Sequence, residues 1–191
     1  MNQPELIVQL QQGDETAFKK LVDEWQHMVY NTALSIVQNE EDADDITQEV
    51  FIQVFRSVGS FKGDSKFSTW LYRITVSKAL DHEKKMKRQK RFGFVQQLFG
   101  VSAVEQKQVT EFNHPGVQLE KKEKANELFS ALKLIPDNQR IAFTLHNLEG
   151  QSYREIAEIM NTSLFAVESL IGRAKTNLKK ELSKYYKNIQ E

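Results

Sequence analysis

Apolar residues recur at every third or fourth position along almost the whole chain, and no stretch alternates in the manner of a strand. Glycine and proline rarely interrupt that period, with 8 and 3 among 191 residues. A chain so patterned must bury helical stripes against one another, which predicts an all-α fold. Pro4–Gln12 reads as a short helix ended by Gly13. Asp14 caps a second, striped by Phe18, Leu21, Trp25, Val29, Ala33 and Ile36. Asn39 caps a third, whose first turn, Glu40-Glu41-Asp42, suits the positive end of the helix dipole. Its stripe runs from Ala43 through Ile46, Val50, Phe51, Val54 and Phe55 to Val58, and Gly59-Ser60 stops it. A fourth helix opens at Ser65 after the turn cluster Gly63-Asp64-Ser65 and continues into the basic run 84–91. These four make a helical bundle over residues 1–91.

Residues 92–118 break the period and read as a linker, with room for a short helix near Val95–Phe99. The linker is too apolar for a plain tether. A second domain, 119–187, follows with four helices. Leu128, Phe129, Leu132 and Ile135 stripe its first, and Pro136-Asp137 opens its second. Ser152-x-x-Glu155 is a capping box for a helix of two turns. Asn161-Thr162-Ser163 turns the chain into a long last helix striped by Val167, Ile171, Ala174 and Leu178.

Zero net charge conceals a strong asymmetry. Residues 1–60 hold eleven acids and three bases, whereas 61–95 hold three acids and ten bases. Arg173–Lys187 holds six bases and one acid. Two basic segments far apart in sequence point to two contacts with a polyanion, and the acidic front to a separate protein partner. There is no cysteine, so thiol chemistry, disulfides and thiolate metal sites are excluded. No apolar run reaches the roughly eighteen residues of a membrane span, and the N-terminus lacks the pattern of a signal peptide. The expectation is a cytoplasmic protein without direct membrane insertion. His27, His82, His114 and His146 lack ligand spacing, and no glycine-rich phosphate loop occurs. No metal, cofactor, catalytic site or small-molecule substrate is expected.

Two stretches carry chemistry. Phe61–Arg73 sets Phe61, Trp70 and Tyr72 beside Lys62, Lys66 and Arg73, a mixture suited to stacking unpaired bases and neutralising phosphates. The same residues also suit a helix with a Phe/Trp core stripe and a solvated face. Gln151–Lys175 has the layout of a helix-turn-helix, whose second helix enters the major groove by its N-terminal part. An ordinary helical hairpin is the alternative.

Three segments, Asp42–Phe55 (DADDITQEVFIQVF), Phe61–Ile74 (FKGDSKFSTWLYRI) and Gly150–Lys175 (GQSYREIAEIMNTSLFAVESLIGRAK), together resemble the bacterial extracytoplasmic-function sigma factors. The resemblance spans both domains and leaves the linker unaligned. It implies a subunit that brings core RNA polymerase to promoter DNA and opens the strands. Asp42, Asp45, Gln48, Glu49 and Phe51 match the helix that docks on a coiled coil of the largest polymerase subunit. Phe61, Lys62, Asp64, Lys66, Trp70, Tyr72, Arg73, Ser77 and Lys78 match the segment facing the unpaired strand of the −10 element. Arg154, Ser163, Glu168, Ser169, Arg173 and Lys175 match the helix-turn-helix that faces the −35 element. An anti-sigma factor, often membrane-bound, is a further implied partner and would hold the chain at the inner membrane face. The chain departs from the family pattern at Phe165-Ala166, where Gly-Thr is common, at Glu168 and Leu170, where Lys and Arg are common, and at Ser77, where Asn is common.

Rival readings make different demands. A stand-alone helix-turn-helix regulator with a sensory front bundle would bind duplex DNA without polymerase. A helical adaptor for proteins would show no salt-dependent affinity for nucleic acid. A hydrolase built on the Asp42–Glu49 carboxylates would lose activity to a chelator.

Overall fold

The computed structural model describes the backbone of residues 3–98 and 119–188 and the side chains of residues 4–91 and 127–184. Among the described residues there are eight α-helices and no strand. They are α1 (Gln3–Gln11), α2 (Glu15–Val37), α3 (Glu40–Ser57), α4 (Phe67–Leu98), α5 (Leu119–Leu134), α6 (Asp137–Asn147), α7 (Tyr153–Ile159) and α8 (Leu164–Asn188).

The helix starts follow from the caps. Asp14 Oδ1 accepts the Ala17 N–H at 3.0 Å, and Asn39 Oδ1 accepts that of Asp42 at 2.9 Å. Both replace a bond that a first-turn amide cannot make within its helix. Gly13 takes φ +80, a left-handed conformation that ends α1 cheaply only because it has no Cβ. α4 begins at Phe67 rather than Ser65, because the Lys66 carbonyl takes its first bond, from Trp70 N at 3.1 Å. It runs as one helix to Leu98, through the region of the expected short helix. The rest of the expected linker, 99–118, lies outside the described residues.

α2, α3 and α4 pack on one another. Leu21, Leu34, Val50, Val54 and Leu71 are wholly buried in the core of this bundle. α1 lies against α2 and the 3-10 turn Val58–Ser60, and buries Leu6 and Leu10. In the second unit, α5 and α6 both pack on α8. Phe129, Leu132, Ile135, Ala174 and Leu178 form a small core there.

The second unit does not stand apart. α7 packs on α4 and α6 on α2, so Ile141, Leu145, Ile156, Val167 and Ile171 belong to the same apolar cluster as the front bundle. An ionic cluster lies beside this seam. Buried Arg140 reaches Asp137 Oδ1 at 3.2 Å and Glu83 Oε2 at 3.5 Å, and Lys87 Nζ reaches Asp137 Oδ2 at 2.6 Å. Glu83 and Lys87 come from α4, whereas Asp137 and Arg140 come from α6. The ions therefore fix the register of a join that the apolar residues drive.

Both tryptophans, Trp25 and Trp70, lie in the front unit, which gives the shared core a direct test. Ile156→Ala in α7 should cost about 2–5 kcal/mol. Urea unfolding followed by tryptophan fluorescence should show that loss as a lower midpoint. Units that unfold independently would leave the tryptophan transition where it was.

Candidate nucleic-acid and protein interfaces

On α3, Asp45, Gln48 and Glu49 are exposed on one face, at the three- and four-residue spacing that brings helical side chains together. Asp42 is half-buried, with Oδ1 3.4 Å from His82 Nε2, and Glu49 Oε2 receives Lys78 Nζ at 3.2 Å. Phe51, among the expected docking residues, is instead buried and supports the helix from within. The apolar groups this face presents are Ile52 and Phe55, 51% and 55% exposed, with Phe55 edge-on to Phe18 at 5.2 Å. Sequence placed Phe55 in the core stripe, because periodicity alone does not separate the margin of a stripe from its centre. Among the described residues, no group of three or more His, Asp or Glu is placed to hold a metal.

In the Phe61–Arg73 stretch part of the aromatic set is core and part stays at the surface beside cations. Phe61, Phe67 and Trp70 form an aromatic cluster with centroids 5.2–5.5 Å apart, the two phenylalanines edge-on and Trp70 tilted to both, and Trp25 meets Phe67 edge-on at 6.3 Å. Phe67 is buried, whereas Phe61 and Trp70 are half-buried and keep part of their rings toward solvent. An open groove of about 390 Å³ runs past Phe61, Lys62, Ser65 and Lys66, and its other wall is Pro4, Ile7 and Gln11 of α1. Gln11 Nε2 donates to the Phe61 carbonyl at 3.0 Å and the Val58 carbonyl at 3.3 Å, tying the loop to α1. Sequence gave no sign of these α1 residues, which reach the loop across about fifty positions of chain. Asp64 is exposed on the loop, and Ser77 lies one helical turn beyond Arg73 on the same exposed side. Lys78 turns the other way, to Glu49, and so lies apart from this groove.

The helix-turn-helix is built by its caps. Ser152 Oγ accepts the Glu155 N–H at 3.3 Å, while Glu155 Oε2 accepts the Ser152 N–H at 3.0 Å, so both arms of the capping box are made. Asn161 takes φ 48 in the turn, a conformation Asn tolerates better than most residues. Ser163 Oγ then accepts the Ala166 N–H at 3.2 Å at the start of α8. Val167, Ile171, Ala174 and Leu178 face inward. Arg154, Ser163, Glu168, Arg173 and Lys175 are exposed, and Ser169 is half-buried.

Sequence could not reveal that the second unit lies over the cationic face of the first. Lys66 Nζ reaches Glu155 Oε1 at 2.7 Å. The Tyr72 hydroxyl donates to Glu149 Oε2 at 3.0 Å, and Arg73 donates to the Glu158 carbonyl at 3.0 Å. The hydrogen bond from Lys66, then those from Ser152, hold the Glu155 carboxyl down at about 2. That same bond raises the Lys66 ammonium. Burial pushes the Tyr72 hydroxyl well above its ordinary value, and Glu149 adds to the rise. Burial also raises the Glu149 carboxyl, against the opposing hydrogen bond from Tyr72.

Comparison with known proteins bears on both units. The family models described as Sigma-70 region 2 and Sigma-70, region 4 match residues 21–90 and 125–178. The RNA polymerase sigma-H factor of Pseudomonas aeruginosa is 32% identical over 185 residues, covering 93% of this chain and 92% of its own. The ECF RNA polymerase sigma-E factor of Escherichia coli is 34% identical over 170 residues, covering 89% and 88%. Among solved structures, CnrH in complex with the cytosolic domain of CnrY aligns with a TM-score of 0.66 and 24% identity, over 94% of this chain and 96% of that one. The sigma factor RpoE of Bartonella quintana, in complex with the anti-sigma factor NepR, aligns with a TM-score of 0.62 and 23% identity, over 87% and 96%. The two structures bear on the fold.

The two carboxylates at the join respond oppositely to pH. Glu155 is held low, so its support is complete above the ordinary carboxylate range and fades only as the pH falls toward 2. Glu149 is held high, so its support is complete below the ordinary range and fades as the pH rises through its raised value. Glu149→Gln removes the buried charge and keeps an acceptor for Tyr72. It should raise the urea midpoint near about pH 7 and leave it unchanged near about pH 4. A lower midpoint near neutrality would show that the ionised carboxylate strengthens the join.

Proposed function

Because this chain belongs to the extracytoplasmic-function family of RNA polymerase sigma factors, it directs the polymerase to promoters, and we propose that its two units divide the task. The front unit, residues 1–91, grips core polymerase and a single DNA strand. The second, residues 119–187, reads duplex DNA upstream, and residues 92–118 link the two. The chain contributes recognition and strand capture, and the polymerase supplies the chemistry. It works in the cytoplasm.

The observation that carries this reading is the pairing, on one bundle, of an acidic-apolar face with a cationic-aromatic groove. Asp42, Asp45, Gln48 and Glu49 with Ile52 and Phe55 suit a basic helical partner, in this reading a coiled coil of the largest polymerase subunit. Phe61, Lys62 and Lys66 border the groove for an unpaired base, with Asp64 exposed on the same loop, Trp70 behind them and Tyr72, Arg73 and Ser77 along α4. Extruding a base costs a few kcal/mol, which stacking on half-exposed rings offsets. Lys78, paired with Glu49, steadies the polymerase-facing side. Upstream, Arg173 and Lys175 serve guanine edges and phosphates, Arg154 and Ser163 the backbone, and Glu168 and Ser169 base edges, Glu168 accepting from a cytosine amine.

In the arrangement described, Lys66, Tyr72 and Arg73 are engaged by Glu155, Glu149 and the Glu158 carbonyl. A DNA strand takes them only when the units part, so the isolated chain binds promoters poorly and the polymerase complex binds them well. An anti-sigma protein that holds the units together acts on the same equilibrium. Of the two proteins similar in fold, CnrH is in complex with the cytosolic domain of CnrY and the Bartonella RpoE with the anti-sigma factor NepR.

Run-off transcription with core polymerase tests the reading. The wild-type chain should start RNA on at least one genomic template. Asp45→Arg with Glu49→Lys should weaken its binding to core polymerase by about tenfold or more in a competition assay. Unchanged binding would place the docking face elsewhere.

A further inference from the structure

Phe165, the second residue of α8, is 80% exposed, and Leu164 before it is 55% exposed. Among the described residues this phenylalanine stays largely uncovered even with the two units joined. It lies one turn ahead of Glu168 and Ser169 on the same side of the helix. Gly172 continues that side, where a built Cβ would meet nothing within 4 Å, so the helix offers a low surface for close approach. The result is a row that begins with an aromatic ring, continues through polar groups and ends near Arg173.

A second helix of a helix-turn-helix enters the major groove by its N-terminal part. Every base pair presents hydrogen-bonding edges on the groove floor, and thymine adds beside its O4 acceptor the C5-methyl, the one apolar group there. A ring at the leading turn of α8 therefore has one complementary feature there. We infer that Phe165 is a specificity residue that reads a thymine methyl in the upstream duplex element. The assignment rests on the duplex-reading role proposed for α8. It makes the Phe165 departure from the family's usual glycine a source of sequence preference: the ring selects thymine where a glycine is indifferent.

The test uses the full chain with core polymerase on a promoter where the two start RNA. Each thymine of the upstream element is replaced in turn by deoxyuridine, which removes only the methyl. Competition binding should weaken roughly three- to fivefold at one or two adjacent positions, the worth of one buried methyl. Phe165→Ala should bind less tightly overall and lose that sensitivity, and its exposure makes the substitution safe for folding. Equal binding to every substituted template would overturn the assignment and hand the ring to a protein partner. So would a Phe165→Ala chain that keeps the same sensitivity. Failure of the wild-type chain to start RNA on any template would instead remove the sigma-factor reading, and this assignment with it.

Discussion

The apolar seam between the two helical units decides most of what this molecule can do. Ile141, Leu145, Ile156, Val167 and Ile171 belong to the second unit by sequence, yet join the core of the first. Each fully buried aliphatic side chain contributes about 1.5–3 kcal/mol, whereas an exposed ion pair contributes far less. Apolar burial therefore holds the units together. The polar contacts determine how they meet and which groups are masked. Lys66 and Arg73 sit at the rim, where screening by salt weakens them, while Tyr72 and Glu149 meet inside it.

That division accounts for the charge pattern. A chain with zero net charge nevertheless carries an acidic front and a basic start to α4. Some of these charges answer each other across the bundle, Glu49 with Lys78 and Asp42 near His82, and Lys87 is answered along α4 by Glu83. Others are answered only by the second unit, as Lys66 is by Glu155. Under the proposed function, charges of the second kind serve nucleic acid only where the units separate, which would link DNA binding to opening of the molecule by mass action.

The helices were legible in the sequence, because caps and periodicity act locally. Asp14, Asn39 and Ser152 each cap as their side chains predict, and the turn at Asn161 falls where its polar run predicts. The family was legible too, from three motifs in order. Less legible was which face of a stripe is central. Phe51 proved buried and Phe55 exposed, a distinction set by neighbouring helices rather than by spacing. The groove wall from α1 and the join between the units were not legible at all. Glu155 announces itself as a cap, and nothing in that role foretells a lysine 89 positions away, nor does anything local to Glu149 foretell a tyrosine 77 positions away. Such contacts depend on how finished elements dock, and no local signal encodes that.

The absence of native cysteine makes the docking directly measurable. Cysteines introduced at exposed Lys20 on α2 and Lys180 on α8 can carry a donor and an acceptor for energy transfer. The free chain should give one narrow, short distance, and addition of core polymerase should replace it with a longer one. A distance unchanged by polymerase that still supports RNA synthesis would contradict the account, because the strand-facing cations would then have to work while still covered.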